Sequence, residues 1–351
     1  MFQKGDVLNS RERVLRLFRR EKIDRVPVFS GMGNVTVHGV EQHGWRFPEI
    51  HLDSHKMATV AASTFQLFGF ECAVVPFDLG VEAEALGCEI NYYPEHTDHM
   101  DILYPTVSQK LADKVADLNI QVPLDLARAG RVPLVTEAIR LLKQTVGDQV
   151  AVGAWVLGPF TLAGQVVELD DLIKKSLQKP ELINKVLDTL DDVLVSLAKI
   201  YKDAGADYLT VREMGAGEDV LSPYTFASVI RPHLERVLAA IESPKVLHIC
   251  GDTNIIVEQM ARCGAEAISV DQKNLLSESR KKVGANVILL GNLDPFNVLT
   301  LGTPEDVDEA VKRIIASGAD AIWPGCDIWP TVPWQNMEVL VAATQRYGKR
   351  P

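Results

Sequence analysis

Two residues of metal-ligand type stand two positions apart at the end of an apolar run, in the stretch KVLHICGD at residues 245–252. If that run is a β-strand, His248 and Cys250 point to the same side and can reach one ion. Cys326 offers a third ligand in the stretch WPGCDIWP, where Gly325 leaves room beside it. One histidine and two thiolates with an open fourth position form a known catalytic zinc set, because soft thiolates favour zinc over magnesium or calcium.

The same residue types also have a purely structural interpretation. Cysteine is among the most buried residue types, and a His-x-Cys pair at a strand end is commonly a packing feature. Cys72, Cys88 and Cys263 are expected to be core thiols of this kind. Cys250 and Cys326 differ from them, because glycine and polar residues stand beside both. The pattern alone leaves both the zinc site and simple packing open.

The elements that must position these residues alternate between apolar runs and segments of helical length. Several of the helical segments end in glycine, where a helix C-cap is favoured. Strand and helix repeated eight times predict an α/β fold, a (β/α)8 TIM barrel, with an open doubly wound sheet as the structural alternative. The apolar runs span residues 26–31, 72–78, 150–158, 207–213, 245–250, 267–271, 287–294 and 321–325.

The whole chain is expected to form one barrel domain over residues 1–351, with a helical extension at residues 1–25. Of its residues, 47% are hydrophobic and 24% are charged, so a chain of this length can bury a large core. The segment SRERVLRLFRRE in the extension is amphipathic, and we expect Ser10 to cap its helix.

Charge and hydropathy exclude several classes of function. A net charge of −11 argues against binding nucleic acid or an anionic membrane surface, because either needs a basic face. The charged N-terminus has no apolar core of signal-peptide length, and no later run approaches the length of a membrane span. Five cysteines, an odd number, argue against a disulfide framework. The sequence therefore predicts a cytoplasmic protein.

Further polar residues stand at the ends of the predicted strands, where such barrels carry their active sites. Glu213 precedes a glycine-rich loop and is predicted to be a general acid or a substrate contact, unless it only caps a helix or pairs with an arginine. Asp271 and Asn292 can each hydrogen-bond His248 and hold its tautomer. We place Asp271 among the catalytic residues and Asn292 among the substrate contacts. Asp78 is predicted to contact substrate, with helix capping as the alternative.

Several stretches of the chain resemble the uroporphyrinogen decarboxylase superfamily, and more closely its branch of corrinoid-dependent methyltransferases, typified by methylcobalamin:coenzyme M methyltransferases. In that branch a His-x-Cys motif is followed by a cysteine in a PGC turn, and His248, Cys250 and Cys326 match it. The resemblance implies that these residues bind Zn²⁺. It extends from about residue 10 to residue 348 through RERVLRLFRREKIDRVPV, VPFDLGVEAEALGCEI, VLHICGDTNIIVEQMARCGAEAISVD, LLGNLDPFNVLTLGTPEDV and IWPGCDIWPTVPWQNMEVLVAAT.

The decarboxylase itself is a poorer match. It carries an arginine-bearing loop after the first strand that grips the carboxylates of a tetrapyrrole. The corresponding segment here, PVFSGMGNVTVHG, contains no arginine, so those carboxylates lack their bidentate partners. That decarboxylase also lacks the thiolate motif. The resemblance therefore favours methyl transfer over decarboxylation.

The resemblance implies methyl transfer with a corrinoid (cobalamin) in one of two directions. In one, zinc holds a thiol as a thiolate that attacks the methyl group of a methyl-Co(III) corrinoid. In the other, zinc polarises an ether oxygen so that a Co(I) corrinoid takes the methyl group. No Asp-x-His-x-x-Gly motif is present, so the corrinoid is expected on a separate carrier protein. A barrel that only docks such a carrier is the non-enzymatic alternative, and the retained ligand residues argue against it.

Three tryptophans close to Cys326 guide the choice of substrate. Trp323, Trp329 and Trp334 can supply the flat apolar walls that a methoxylated aromatic ring needs, although each can instead pack the rim of the barrel. Coenzyme M carries a sulfonate and calls for a cationic partner. Asp327 also stands where thiol-specific members are expected to have glycine. The leading prediction is therefore an O-demethylase that moves a methyl group from a methoxylated aromatic to the Co(I) corrinoid of its partner, with thiol methylation as the alternative.

Overall fold

The apolar runs form parallel strands that are covered on both faces, as their lack of polar alternation requires. The computed structural model describes residues 6–96 and 101–350. Within these ranges, seven parallel strands form one curled sheet, and an antiparallel hairpin stands apart from it. In order across the sheet the strands are β1 (Cys72–Val75), β4 (Ala151–Leu157), β5 (Tyr208–Arg212), β6 (Lys245–Ile249), β7 (Ala267–Val270), β8 (Ile288–Leu293) and β9 (Ala321–Pro324), and the hairpin consists of β2 (Glu89–Asn91) and β3 (Thr106–Gln109).

The TIM-barrel prediction is confirmed with one correction, because the run at residues 26–31 does not form a regular strand. Pro27 has no N–H to donate to a ladder of hydrogen bonds. The segment still joins the sheet on both sides. Phe29 N donates to Ile322 O at 3.1 Å, and the residue just before β1 donates its N–H to Val28 O at 2.8 Å. This segment therefore closes the gap between β9 and β1 in place of the expected first strand.

Helices connect the strands and cover the outside of the sheet. Helix α1 is capped by Asn9, whose Oδ1 accepts from Glu12 N at 2.7 Å. Ser10, the expected cap, is instead the first helical residue. None of the helices in the described ranges has the length and apolar character needed to cross a membrane. The helices are α1 (Ser10–Arg19), α2 (Val37–Glu41), α3 (Ser54–Phe68), α4 (Val81–Ala85), α5 (Val132–Thr145), α6 (Pro159–Val166), α7 (Leu169–Gln178), α8 (Pro180–Asp203), α9 (Pro223–Thr225), α10 (Arg231–Ala240), α11 (Val257–Ala261), α12 (Leu276–Val283), α13 (Pro304–Ala316) and α14 (Trp334–Tyr347).

Helix α1 packs against the N-terminal end of the sheet. Arg11 N donates to Gln149 O at 2.9 Å, just before β4 begins. Phe18 packs on Tyr208, the first residue of β5, with 5.6 Å between the ring centroids. Residues 1–5 of the predicted extension lie outside the described residues. Because this end of the sheet is covered, the opposite end, where the strands terminate, is available for a site.

Candidate metal centre and adjoining cavity

The three predicted zinc ligands meet at the C-terminal end of the sheet. His248 lies in β6, Cys250 follows that strand directly, and Cys326 lies two positions after β9. His248 Nε2 is 2.9 Å from Cys250 Sγ, which in turn is 3.3 Å from Cys326 Sγ. All three ligand atoms lie within 4.8 Å of one another. The fold thus brings together the residues that the sequence singles out for a metal.

The donor set has the chemistry and nearly the spacing that zinc requires. Zn–S bonds of about 2.3 Å at a tetrahedral angle place two sulfur atoms roughly 3.8 Å apart, so the thiol pair has to open by about 0.5 Å. Cys250 and Cys326 are partly exposed, which suits an ion with one position open to a substrate. Two thiolates and an imidazole prefer zinc to magnesium or calcium. The residues present therefore fit the metal that the resemblance implies.

The ring of His248 is held in the form that binds metals. Burial and the nearby Arg212 charge lower the pKa of His248 to about 3, so the imidazole is neutral at physiological pH. Its Nδ1 lies 3.0 Å from Ser269 Oγ, which leaves Nε2 for the ion. Ser269 replaces the partners expected from the sequence, Asp271 and Asn292. In the structure Ser269 stands directly opposite His248 in the β6–β7 register. The sequence signal for this contact was a serine inside the otherwise apolar strand AISVD.

The two thiols form a coupled pair. Their mutual hydrogen bond and burial raise the pKa of the Cys250 thiol, whereas the same hydrogen bond lowers the pKa of Cys326. The positive charge of Arg212 opposes the increase at Cys250 and favours the thiolate at both positions. The site therefore carries its own cation beside the two ligands that must lose protons to bind a metal.

Arg212, the last residue of β5, is a buried cation that sequence reasoning missed as a site residue. Its side chain is fully buried, and its guanidinium carbon lies 4.6 Å from the centre of the Trp155 ring. Its Nη2 donates to Asp327 Oδ2 at 2.6 Å. Its Nε and Nη1 have no hydrogen-bond partner among the described residues. The sequence signal for this residue was an arginine at the end of a mostly apolar strand. A buried charge needs a partner, so such an arginine indicates a paired charge inside the barrel.

A cavity of about 820 Å³ extends to the residue after Cys326, although none of the three candidate ligands is part of its described wall. Asp327, adjacent to the ligand Cys326, forms part of its wall, with 38% of its side chain exposed. Phe77 and Tyr104 add aromatic surface, and Lys110 contributes a cation at the wall. Tyr104 belongs to the long segment between β2 and β3, so nothing in the sequence indicated that it shares a cavity wall with the residues that follow β9.

The three candidate tryptophans take different positions. Trp329 lines the cavity, is 50% exposed and packs on Phe296 with 4.7 Å between ring centroids. Trp323 is fully buried in β9 and packs on Phe29 inside the barrel. Trp334 begins α14 and packs on Phe68. As far as the described residues define the cavity wall, neither Trp323 nor Trp334 contributes to it. A substrate contact by any of the three stays a prediction.

Glu213 is fully buried and anchors a helix. Its Oε2 accepts from Phe160 N at 2.9 Å, and its Oε1 accepts from Thr161 N at 2.8 Å and from the Thr161 hydroxyl. These contacts join the end of β5 to the first turn of α6, which precedes Glu213 in the chain. Burial raises the pKa of Glu213 to about 7, although the hydrogen bonds oppose the rise. The arrangement is that of a structural anchor, and the catalytic role stays a prediction.

Asp271 and Asn292 stabilise the loops that surround the ligands. Asp271 Oδ2 accepts from the N–H of Gly251, the residue after Cys250, at 3.0 Å. Asn292 Nδ2 donates to Asp271 O at 3.0 Å and to Asn274 O at 2.9 Å. Asp271 therefore supports the backbone beside the candidate ligand Cys250, and Asn292 ties β8 to the loop after β7. Neither of these contacts involves the cavity, so a direct role in the reaction stays a prediction for both.

Asp78 is part of the cavity wall, but its charge is already compensated. Arg131 donates to both of its oxygens, at 2.7 and 2.8 Å, and His51 Nδ1 lies 3.0 Å away. Burial disfavours the carboxylate, yet the hydrogen bonds from His51 and Arg131 hold the pKa of Asp78 well below its ordinary value. Gly80 N donates a further bond at 3.0 Å. Asp78 is thus an ionised, fully engaged group, and substrate binding by it stays a prediction.

Comparison with known proteins places these features in a family context. The family profile described as uroporphyrinogen decarboxylase (URO-D) matches residues 9–347. The methylcobamide:CoM methyltransferase MtaA of Methanosarcina barkeri is 33% identical over 337 residues, which cover 95% of this chain and 97% of that protein. The methylcobamide:CoM methyltransferase MtbA of Methanosarcina acetivorans is 32% identical over 340 residues, which cover 96% of this chain and 98% of that protein.

A solved structure shares the fold over nearly its whole length. The structure described as a methyltransferase from Methanosarcina mazei superposes with a TM-score of 0.89 at 30% sequence identity. The match covers 97% of this chain and 99% of that one. The similarity therefore extends over the barrel and the loops that carry the candidate site.

Proposed function

This chain belongs to the uroporphyrinogen decarboxylase family, and we propose that it is a zinc-dependent methyltransferase that methylates a thiol with the methyl group of a corrinoid carried by a partner protein. The observation that carries the proposal is the convergence of His248 Nε2 with two Sγ atoms beside a large cavity. The methylcobamide:CoM methyltransferases MtaA and MtbA, related over almost the whole chain, support methyl transfer as the class of reaction.

His248, Cys250 and Cys326 would hold the zinc ion. When bound there, zinc supplies a Lewis-acidic position at which a substrate thiol is held as its thiolate. Ser269 keeps the imidazole of His248 in the tautomer that leaves Nε2 available. Arg212 adds a positive charge that favours the thiolate form of both cysteines.

The reaction is a displacement at the methyl carbon. The sulfur of the acceptor thiol forms a new bond to that carbon while the cobalt–carbon bond breaks, and the electron pair of the broken bond stays on cobalt. The thiol proton passes to solvent. The protein orients the acceptor thiol in the cavity. The aromatic side chains of Phe77 and Tyr104 in the cavity wall reduce the contact of the bound acceptor with water.

A separate corrinoid protein needs a docking surface at the end of the barrel where the strands terminate, and we propose that the segments after the strands provide it. Tyr224, Ile255, Leu275 and Phe296 follow four consecutive strands, β5 to β8, and are 80%, 64%, 66% and 38% exposed. All four side chains follow strands of one parallel sheet, so they lie toward the end of the barrel at which those strands terminate. They support delivery of the corrinoid on a partner.

The second candidate is methyl transfer from a methoxylated aromatic to a Co(I) corrinoid. It is favoured by Trp329, which together with Phe77 and Tyr104 gives the cavity aromatic surface. It ranks below thiol methylation, because the relatives that match almost the whole chain are methylcobamide:CoM methyltransferases. Decarboxylation of a tetrapyrrole has less support, since the nearby Arg131 and Arg212 are already paired with carboxylates of this chain.

The experiment that separates these functions follows the cobalt absorption spectrum. Zinc-loaded protein is mixed with methylcobalamin and a thiol in one series, and with Co(I) cobalamin and a panel of methoxyarenes in another. The proposal predicts conversion of the methyl-Co(III) spectrum to that of Co(I) in the thiol series. Demethylation of methoxyarenes without any thiol methylation would favour the second candidate, and no spectral change in either series would contradict both.

A further inference from the structure

The carboxylate of Asp327 occupies the space between the buried Arg212 and the cavity. Its Oδ2 accepts from Arg212 Nη2 at 2.6 Å, and its Oδ1 accepts from Gly33 N at 2.6 Å. These two bonds come from separate parts of the barrel and fix the side chain from both sides. Because Asp327 is adjacent to the proposed ligand Cys326, the fixed carboxylate lies at the edge of the metal centre.

An anionic group in the cavity has no access to Arg212. The guanidinium is fully buried, with the Trp155 ring against it and Asp327 paired to it. An anion would have to displace a carboxylate that holds two hydrogen bonds, and it would then lie next to that negative charge. Arg212 is therefore the counter-ion of Asp327 through Nη2, and its Nε and Nη1, which have no partner among the described residues, are themselves buried.

The other cations near the cavity are engaged as well. Arg131 makes ion pairs with Asp78 at 2.7 Å and with Glu84 at 2.6 Å. Lys110 Nζ donates to Val167 O at 3.1 Å and lies 3.4 Å from a carboxylate oxygen of Glu168. Each cation at or behind the described cavity wall thus has a partner within the chain. A sulfonate or carboxylate substrate would find no unpaired positive charge among them.

A cationic group on a substrate would find an exposed carboxylate and aromatic side chains in the cavity wall. Asp327 is 38% exposed at the wall, and its two oxygens can accept more bonds than the two they already hold. Tyr104 and Trp329 line the same cavity, and aromatic faces attract cations. Asp78, the other carboxylate of the wall, is fully buried against Arg131. Asp327 is therefore the carboxylate placed to meet a positive charge.

We infer that the thiol acceptor carries a positively charged group, such as an ammonium, and that Asp327 selects it over an anionic thiol. The inference rests on the proposed function and specifies the substrate class of the same cavity. In the transfer, the acceptor sulfur gains the methyl group, cobalt keeps the electron pair, and the ammonium takes no part in bond making.

The test uses thiols of the form HS–CH2–CH2–X that differ only in charge: 2-aminoethanethiol, 2-mercaptoethanol and 2-mercaptoethanesulfonate. Their unreactive S-methyl derivatives are titrated into the zinc-loaded full-length protein by calorimetry, and kcat/KM with methylcobalamin is measured for the free thiols. The ammonium compound is expected to bind tightest and the sulfonate weakest, with a difference on the order of tenfold or more in dissociation constant. Any other order for the native protein would overturn the inference.

Asp327→Asn tests the assigned residue with almost no change of shape. It should raise the ammonium-to-sulfonate ratio of dissociation constants by roughly tenfold, because the preference for the ammonium compound is lost. Asp294→Asn is the matched control, because Asp294 lies at the same end of the barrel and accepts from Phe296 N outside the described cavity wall. It should leave the ratio unchanged, and an unchanged ratio in Asp327→Asn would overturn the assignment. Charge-selective binding without methyl transfer to any thiol would instead contradict the proposed function.

Discussion

The Sγ atoms of Cys250 and Cys326 lie 3.3 Å apart although the two residues are 76 positions apart in the chain. They meet because β6 and β9 are parallel strands of one curled sheet and both end at the same side of it. His248 completes the group from within β6. The zinc proposal rests on this meeting of one imidazole and two thiols.

Ser269→Ala should weaken zinc binding without removing any ligand. The hydroxyl of Ser269 fixes the His248 ring at 3.0 Å, and loss of such a contact costs about 10- to 100-fold in metal affinity. The measurement is competition with a chromophoric chelator. Ser63→Ala is the control, because Ser63 is a buried serine that bonds Val60 O within α3. Equal affinities in the two variants would argue against orientation of the ligand by Ser269.

Glu213→Gln should change the pH dependence of stability. Burial raises the folded-state pKa of Glu213 from 4.5 to about 7, so the folded protein keeps a proton that the unfolded chain releases. The contribution of Glu213 to the free energy of unfolding is therefore greatest below its unfolded pKa and falls by roughly 1 to 3 kcal/mol as pH rises from about 4.5 to about 7. Denaturant unfolding across the window should show a smaller fall for Glu213→Gln. Identical pH profiles would contradict the buried, protonated state.

Trp329→Ala should weaken substrate binding while zinc stays bound. Contact with an aromatic face contributes about 0.5 to 1.5 kcal/mol, which corresponds to a roughly 2- to 10-fold rise in KM. Trp334→Ala is the matched control, because Trp334 packs on Phe68 away from the described cavity wall. It should lower the melting temperature and leave KM unchanged. A greater effect on KM from the control would contradict the position assigned to the cavity.

Ile255→Glu and Leu275→Glu should impair use of a protein-bound corrinoid only. Both side chains are exposed in loops after the strands, and a buried unpaired charge opposes docking of an apolar surface. We expect roughly a tenfold or larger loss of rate with the methylated carrier protein and no loss with free methylcobalamin. Val7→Glu is the control, because Val7 is also exposed but lies near the covered end of the barrel. It should change neither the rate with the carrier protein nor the rate with free methylcobalamin. Equal losses with both methyl donors would contradict the docking surface.

The meeting of His248, Cys250 and Cys326 could be predicted from the sequence, because strand periodicity and the positions of strand ends determine where such residues come together. Prediction from the sequence failed where placement depends on contacts between distant segments. The pairing of Arg212 with Asp327 arises only when β5 and the loop after β9 come together. Trp323 and Trp334 are close to Cys326 in the sequence, but this did not show where their side chains point. Trp323 lies inside β9, and Trp334 begins α14.

The zinc content of the purified protein tests the central claim most directly. Native protein and the Cys263→Ala control, which removes a buried thiol just after α11 and outside the candidate ligand group, should each hold about one zinc per chain. Cys326→Ala should lose most of its zinc, because an ion left with one thiolate and one imidazole is held weakly. If Cys326→Ala instead keeps full zinc content with unchanged affinity, the assignment of His248, Cys250 and Cys326 as the metal centre is contradicted.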